Sequence, residues 1–269
     1  MRRVDLAIRS IGVLAPGLLG WEGSRPVLAG ERPYVPTPIP QPEATILPPN
    51  ERRRSSDSVR WAVEVAHEAM VRAGLDPGAV PAVFASSGGE ISVFDQLCRL
   101  LATKERLVSP TLFHQSVHNA ASGYWGIATA GHETSTALSC YDDSFIAGLV
   151  EAVALVITEW RPVLLVAYDL PVPVPLREAR PITVGFAVAL VLSPLAEAAI
   201  ATATFTLKDA RGAEPVGLAD QTLEQLRTHN PAARSLPLLC TIAARVRRTV
   251  VFDWLGDQRI ELGVEPCSP

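Results

Sequence analysis

Residues 134–169 read TSTALSCYDDSFIAGLVEAVALVITEWRPVLLVAYD, and the fold is decided here. Residues 134–139 fit a short strand, and Asp142 or Asp143 supplies a side chain able to cap a helix running to about Trp160. Between Phe145 and Ile157 the sole charged residue is Glu151, so this helix is apolar nearly all round. That pattern predicts a helix buried between layers, since a surface helix carries a polar face. Residues 163–168 are a continuous apolar run, the signature of a strand buried on both faces. A strand, a buried helix and a second buried strand make the core of a layered α/β protein.

Working outward, residues 184–192 form a further continuous apolar strand, and residues 82–85 a short one that runs into the turn Ser86-Ser87-Gly88-Gly89. Residues 4–14 read as a first strand ending at Pro16-Gly17. Eight prolines fall between Pro26 and Pro49, too many for helix or central strand, so residues 26–49 are expected to be an extended surface loop. Such a loop is long enough to be a functional loop or a wrapping arm. Ser55-Ser56-Asp57 then offers capping chemistry, and Val59, Ala62, Val63, Ala66, Met70 and Ala73 recur at helical spacing until Gly74 and Pro77. Residues 94–104 are expected to be a second helix. After about residue 200 the pattern weakens: a strand near 205–207, a helix over 220–227, and a hairpin of 250–254 with 259–264 turning at Leu255-Gly256-Asp257.

The chain has 269 residues, a net charge of -4, 48% hydrophobic and 19% charged residues, which excludes a disordered chain and argues against a nucleic-acid binder. Arg52-Arg53-Arg54 and the cluster at 245–248 read as solvated faces. The hydrophobic stretches 144–158 and 183–193 fall short of the roughly 18–20 residues a spanning helix needs, so no membrane is expected. A mean hydropathy of +0.21 points to apolar surface covered by a second chain. Cys98, Cys140, Cys240 and Cys267 are scattered, fitting reduced thiols in the cytoplasm.

Three residues are candidates for catalysis. Cys140 sits at a strand-to-helix turn, where the positive end of a helix favours a thiolate, although Asp142 and Asp143 oppose it. The competing reading is a structural cysteine. His114 and His118 are four apart and on a helix would share a face, as a base with its helper or a metal pair; no third ligand or H-E-x-x-H glutamate accompanies them, so no metal is expected. The bland alternative is that they bond to backbone or line a cleft. Ser86 and Ser87 lack the G-x-S-x-G elbow, and Gly88-Gly89 lacks the spacing of a phosphate-binding loop, so no cofactor is expected either.

The run Asn119-Ala120-Ala121-Ser122-Gly123-Tyr124-Trp125-Gly126-Ile127-Ala128, then Gly131 and Cys140, resembles the N-terminal half of β-ketoacyl synthases. Gly148 matches a small position on the helix after the cysteine, and residues 163–169 resemble the next strand. With residues 48–55 and Phe113-His114-Gln115-Ser116-Val117-His118-Asn119, the chain looks closest to a short, chain-length-factor-like subgroup found with aryl polyene biosynthesis. The resemblance covers about residues 1–195 and implies a thiolase-like layered fold with the N-terminal half largely complete and the second half shortened. In that organisation residues 1–269 form a single domain, a core over 1–199 and an appendix over 200–269. The two histidines and lysine that full synthases carry in their second half have no counterpart here; His229, in Thr228-His229-Asn230-Pro231, does not match.

A helix as apolar as 143–160 must be covered. Each large apolar side chain is worth about 1.5–3 kcal/mol when buried, so exposing several would cancel a domain's net stability. The appendix is expected to cover it, while residues 134–139 pair with another subunit. The resemblance therefore implies a non-condensing subunit that pairs with a full-length ketosynthase as a heterodimer, or with itself as a homodimer, and meets an acyl carrier protein. Phe113, Tyr124 and Trp125 are its candidate tunnel or interface residues. The alternative is a stand-alone acyltransferase or thioesterase with Cys140 as nucleophile and His114 or His118 as base.

Overall fold

A computed structural model describes residues 3–195, 198–209, 217–256 and 258–267. Its centre is one mixed sheet whose strands lie side by side in the order Ser135–Leu138, Ala82–Ala85, Val163–Asp169, Phe186–Ser193, Arg3–Ala15, Ala201–Asp209, Gln258–Pro266 and Arg248–Trp254. The parallel part consists of β3 (Ala82–Ala85), β4 (Ser135–Leu138) and β5 (Val163–Asp169), in register with Ala82 opposite Ser135 and Leu164. Next to β5, β6 (Phe186–Ser193) runs antiparallel and pairs in turn with β1 (Arg3–Ala15). Every residue of β5 and β6 is buried, as their continuous apolar sequences require. The short strand β2 (Leu18–Leu19) pairs with the end of β1.

The hinge of the architecture is β1. Its residues 7–14 pair with β6, while residues 3–8 pair with β7 (Ala201–Asp209). The appendix thus continues the same sheet, through β7, β9 (Gln258–Pro266) and β8 (Arg248–Trp254). The β8–β9 hairpin is present where the sequence indicates it, although Asp257 of its turn lies outside the described residues. In β7 the alternation is plain: Ala201, Ala203 and Phe205 are buried, and the intervening threonines are half-exposed.

Helices cover both faces. On one, α3 (Asp57–Ala73) packs Val59, Ala62, Val63, Ala66 and Met70 onto Leu164, Val166, Ala189 and Val191. It starts where Ser56 Oγ accepts from the Val59 N–H at 3.1 Å and ends at Gly74 in the left-handed region. Beside it lies α6 (Ala120–Thr129). On the other face, α7 (Ser144–Glu159) packs Phe145, Leu149 and Val153 onto Val83, Leu165 and Leu190. A Cβ on Gly148 would lie 2.8 Å from Ala85 Cβ and 2.9 Å from Leu165 Cδ1, so only glycine lets α7 sit this close to β3 and β5.

The appendix, which carries α8 (Gln221–His229) and α9 (Leu236–Ala243), meets α7 through the single turn Ala232–Ser235 between those helices and through Phe252, whose ring centroid lies 5.9 Å from that of Phe145, edge to face. Helix α7 is apolar nearly all round and lies against the sheet as expected, but it is not covered along its whole length. Ala154 and Thr158 are exposed and Ile157 is 45% exposed, because the appendix shields the N-terminal turns of α7 and leaves its outer C-terminal flank open.

The proline-rich segment also differs from expectation. Pro26 lies within a short helix, α1 (Trp21–Leu28), near its end, and Pro49 starts α2 (Pro49–Arg54), where its missing N–H costs nothing. Between them the chain is folded back on its own molecule: Tyr34 donates its hydroxyl to Pro16 O at 2.7 Å, and the Ala44 N–H donates to Glu64 Oε2 at 3.0 Å. The second predicted helix is α4 (Ile91–Leu101), and α5 (Pro110–Gln115) follows it. No helix among the described residues is long and apolar enough to cross a membrane.

Candidate functional site

The carboxyl ends of parallel strands are where open α/β sheets place their sites. Here the loops after β3, β4 and β5 meet at one edge. Asp169, the last residue of β5, is 3% exposed, and its Oδ1 accepts from Ser86 Oγ (3.1 Å), Ser87 N (2.9 Å), Ser87 Oγ (2.7 Å) and Gly88 N (3.3 Å). Burial pushes its carboxyl up to about 6, against the pull of those donors. Ser86 and Ser87 are therefore the ligands of a buried carboxylate, a structural role. Ser139 Oγ reaches Ser87 O at 3.4 Å and ties the end of β4 to the same turn.

Cys140 follows, half-buried, between β4 and a single 3-10 turn over Tyr141–Asp143 that leads into α7. Its N–H donates to Ser144 Oγ at 3.0 Å, and that hydroxyl donates to Tyr141 O at 2.7 Å. Tyr141 has a positive φ of 50°, uncommon for a bulky residue, and the strain is held by what surrounds it. Arg180 lies over its ring at 3.8 Å from the centroid and donates to Asp142 Oδ1 at 2.6 Å. Arg234 donates to Asp143 Oδ1 at 2.6 Å and approaches Asp142 Oδ2 at 3.4 Å. Burial raises the Asp143 carboxyl, Arg234 lowers it, and Asp142 and Asp253 raise it further. Two arginines and two aspartates therefore clamp the turn that carries the thiol.

The histidines stand differently. His114 is on α5, but that helix ends at Gln115, so His118 lies beyond it and the two do not share a helix face. The helix stops because Ser116 closes its last turn, its N–H bonded to Phe113 O at 3.1 Å. His118 Nε2 is 3.2 Å from Ser86 O, and a carbonyl only accepts, so this nitrogen donates and cannot serve as a base. The ring leans over Gly89, where a φ of +51°, and the 3.0 Å that an added Cβ would leave to His118 Cδ2, favour glycine. His114 is exposed and borders a cavity of about 400 Å3 with Glu51, Arg54 and Tyr124. Among the described residues no hydrogen bond links either imidazole to Cys140, nor does any reach its sulfur.

One further expectation changes in part: of the candidate tunnel or interface residues, Tyr124 and Trp125 are each 3% exposed and belong to the core under α3, so they are not open to a partner, whereas Phe113 is 67% exposed. Arg180, Arg234 and Asp169 were not singled out in the sequence, since their partners lie far along the chain.

A family model described as the β-ketoacyl synthase N-terminal domain matches residues 29–247. No curated protein matches the sequence. Among solved structures, the chain is similar to one in the complex of the ketosynthase ApeO with its chain length factor ApeC from Xenorhabdus doucetiae. The identity there is 25% and the TM-score 0.71, over 97% of this chain and 99% of that one. The ishigamide ketosynthase/chain length factor shares the fold at 12% identity and a TM-score of 0.70, covering 98% and 100%. So does AntDE:AntF, a type II PKS acyl-carrier protein in complex with its ketosynthase bound to the hexaketide, at 12% identity and a TM-score of 0.73, covering 99% and 100%.

Proposed function

The chain belongs to the β-ketoacyl synthase N-terminal domain family, and we propose that it is a non-condensing, chain-length-factor-type subunit that pairs with a complete ketosynthase. The observation that carries this reading is the clamp at Cys140. Condensation needs donors aimed at the charge that develops when malonyl units lose carbon dioxide. In the turn that carries this thiol Arg180 and Arg234 are paired with Asp142 and Asp143, with Arg180 Nη2 alone left buried and without a partner among the described residues, and His118 directs Nε2 to a backbone carbonyl. The ketosynthase and chain length factor complex with 25% identity supports the same assignment.

The sheet supports a pairing surface at one edge. Among the described residues β4 bonds to β3 alone, so its outer edge offers unpaired backbone groups. Phe113, 67% exposed, and Trp160, 75% exposed, stand as large apolar side chains on this molecule. In this reading the partner ketosynthase, in the cytoplasm, takes the β4 edge, Phe113 borders its acyl tunnel, and an acyl carrier protein serves the assembled pair.

Co-expression with a ketosynthase encoded nearby, followed by size-exclusion chromatography and a condensation assay, tests the proposal. A one-to-one complex that keeps full condensing activity after Cys140→Ala supports it. An assembled complex without activity refutes the non-condensing assignment, a homodimer that ignores the ketosynthase refutes the pairing, and stoichiometric acylation of the isolated chain at Cys140 would establish the acyltransferase reading in its place.

A further inference from the structure

A cavity of about 460 Å3 lies where the proline-rich segment meets the appendix, within the range that holds small ligands. Its apolar walls are Tyr34, Pro36, Val184 and Leu226. These walls are fixed by the protein itself. Tyr34 is held at both ends, its hydroxyl donating to Pro16 O at 2.7 Å and its N–H to Asp220 Oδ2 at 3.1 Å. Asn230, 2% exposed, lines the cavity and ties the end of β5 to the segment before β6, donating to Asp169 O at 3.0 Å and Val184 O at 2.9 Å. A cavity braced in this way is preorganised, which lowers the ordering cost of binding.

The polar lining is Thr183, Thr222, Gln225 and His229, and no Asp, Glu, Lys or Arg contributes. Four other cavities among the described residues each include at least one such residue. A phosphate or carboxylate entering this one would lose water without gaining a counter-charge. His229 adds direction. Its Nδ1 lies 2.8 Å from Gln225 O, so in the neutral ring Nδ1 carries the proton and Nε2 is an acceptor.

We propose that this cavity binds an uncharged amphipathic molecule with an apolar body and a hydroxyl group, a phenol being the simplest member of the class. The apolar body packs on Tyr34, Val184 and Leu226, and the hydroxyl donates to His229. The proposal does not rest on the pairing with a ketosynthase. It also gives the proline-rich segment a role, since that segment closes one side of the cavity.

The test is titration of the full-length chain with 2-naphthol, followed by saturation-transfer NMR, with 2-naphthyl phosphate as the charged analogue. Saturable binding is expected, weakened at least about tenfold, or 1.4 kcal/mol, by Gln225→Trp, which fills the mouth from an exposed position. His229→Phe keeps a ring and removes the acceptor, and is expected to weaken binding several-fold. The phosphate is expected to bind at least tenfold more weakly than the naphthol. Circular dichroism checks that each variant folds, and Thr222→Phe replaces Gln225→Trp if the latter does not. No saturable binding at millimolar naphthol, undiminished binding in both mouth-filling variants, or equal affinity for the phosphate would overturn the proposal.

Discussion

Arg234 Nη1 lies 2.6 Å from Asp143 Oδ1 across 91 positions of sequence, joining the appendix to the turn that carries Cys140. Both side chains are 29% exposed, so the pair is partly withdrawn from water. Removing the cation leaves Asp143 beside Asp142 and Asp253, the groups that already raise its carboxyl. Arg234→Ala is expected to cost about 1–2 kcal/mol, more than a surface pair would. Urea unfolding measures this, and Asp143→Asn in the Arg234→Ala background should recover part of the loss. A double variant no more stable than Arg234→Ala would show that the pair is not coupled.

Gly148 offers a test of how tightly α7 meets the sheet. The clash of an added Cβ is with Ala85 Cβ and Leu165 Cδ1, which belong to fully buried strand residues. Gly148→Ala should therefore destabilise by about 1–3 kcal/mol, against the roughly 1 kcal/mol that helix propensity alone would gain. A variant as stable as the parent in thermal unfolding would mean that α7 can lift from β3 without penalty.

Glu90 is 3% exposed, and its burial, partly offset by the Ser56 hydroxyl and reinforced by Asp57, pushes its carboxyl up to about 7 from 4.5. A raised carboxylate binds its proton more tightly in the folded state, so stability falls as pH rises from 4.5 through 7. One pKa unit is 1.36 kcal/mol, which sets the penalty above pH 7 at about 3 kcal/mol. Glu90→Gln, neutral at every pH, is expected to stabilise the protein at pH 8 by about 1–3 kcal/mol and to leave it nearly unchanged at pH 4.5. Equal effects at both values would place the cause in packing instead of charge.

The stretch over 134–169 was legible because a continuous apolar run admits few placements: β4, α7 and β5 all lie where it indicates. The same logic failed at α9, an eight-residue helix with Pro237 in its first turn and an almost wholly apolar sequence, which carries no periodic signal. The full length of β7 could have been read from its alternation of Ala201, Ala203 and Phe205 with threonines. That β7 joins β1 could not, since the pairing rests on backbone groups that every residue has. At the site, the Cys140 turn was visible from its strand and helix, but Arg180 and Arg234 meet Asp142 and Asp143 only through the fold. The i, i+4 spacing of His114 and His118 would bring the two together only on a continuous helix, and α5 ends at Gln115.

Phe113 separates an interface residue from a core residue. At 67% exposure, Phe113→Asp removes little buried area and should alter unfolding free energy by less than about 0.5 kcal/mol. Were the side chain covered by a partner, the same change would place an unpaired carboxylate in an apolar contact, a cost of several kcal/mol for the complex alone. Co-purification with the ketosynthase should then fall at least about tenfold while the isolated chain melts unchanged. Trp125→Asp, at a core position, should do the reverse and unfold the chain before any pairing is reached. If Phe113→Asp leaves both melting and co-purification intact, the partner does not cover α5, and the pairing surface must be sought along β4 and Trp160 instead.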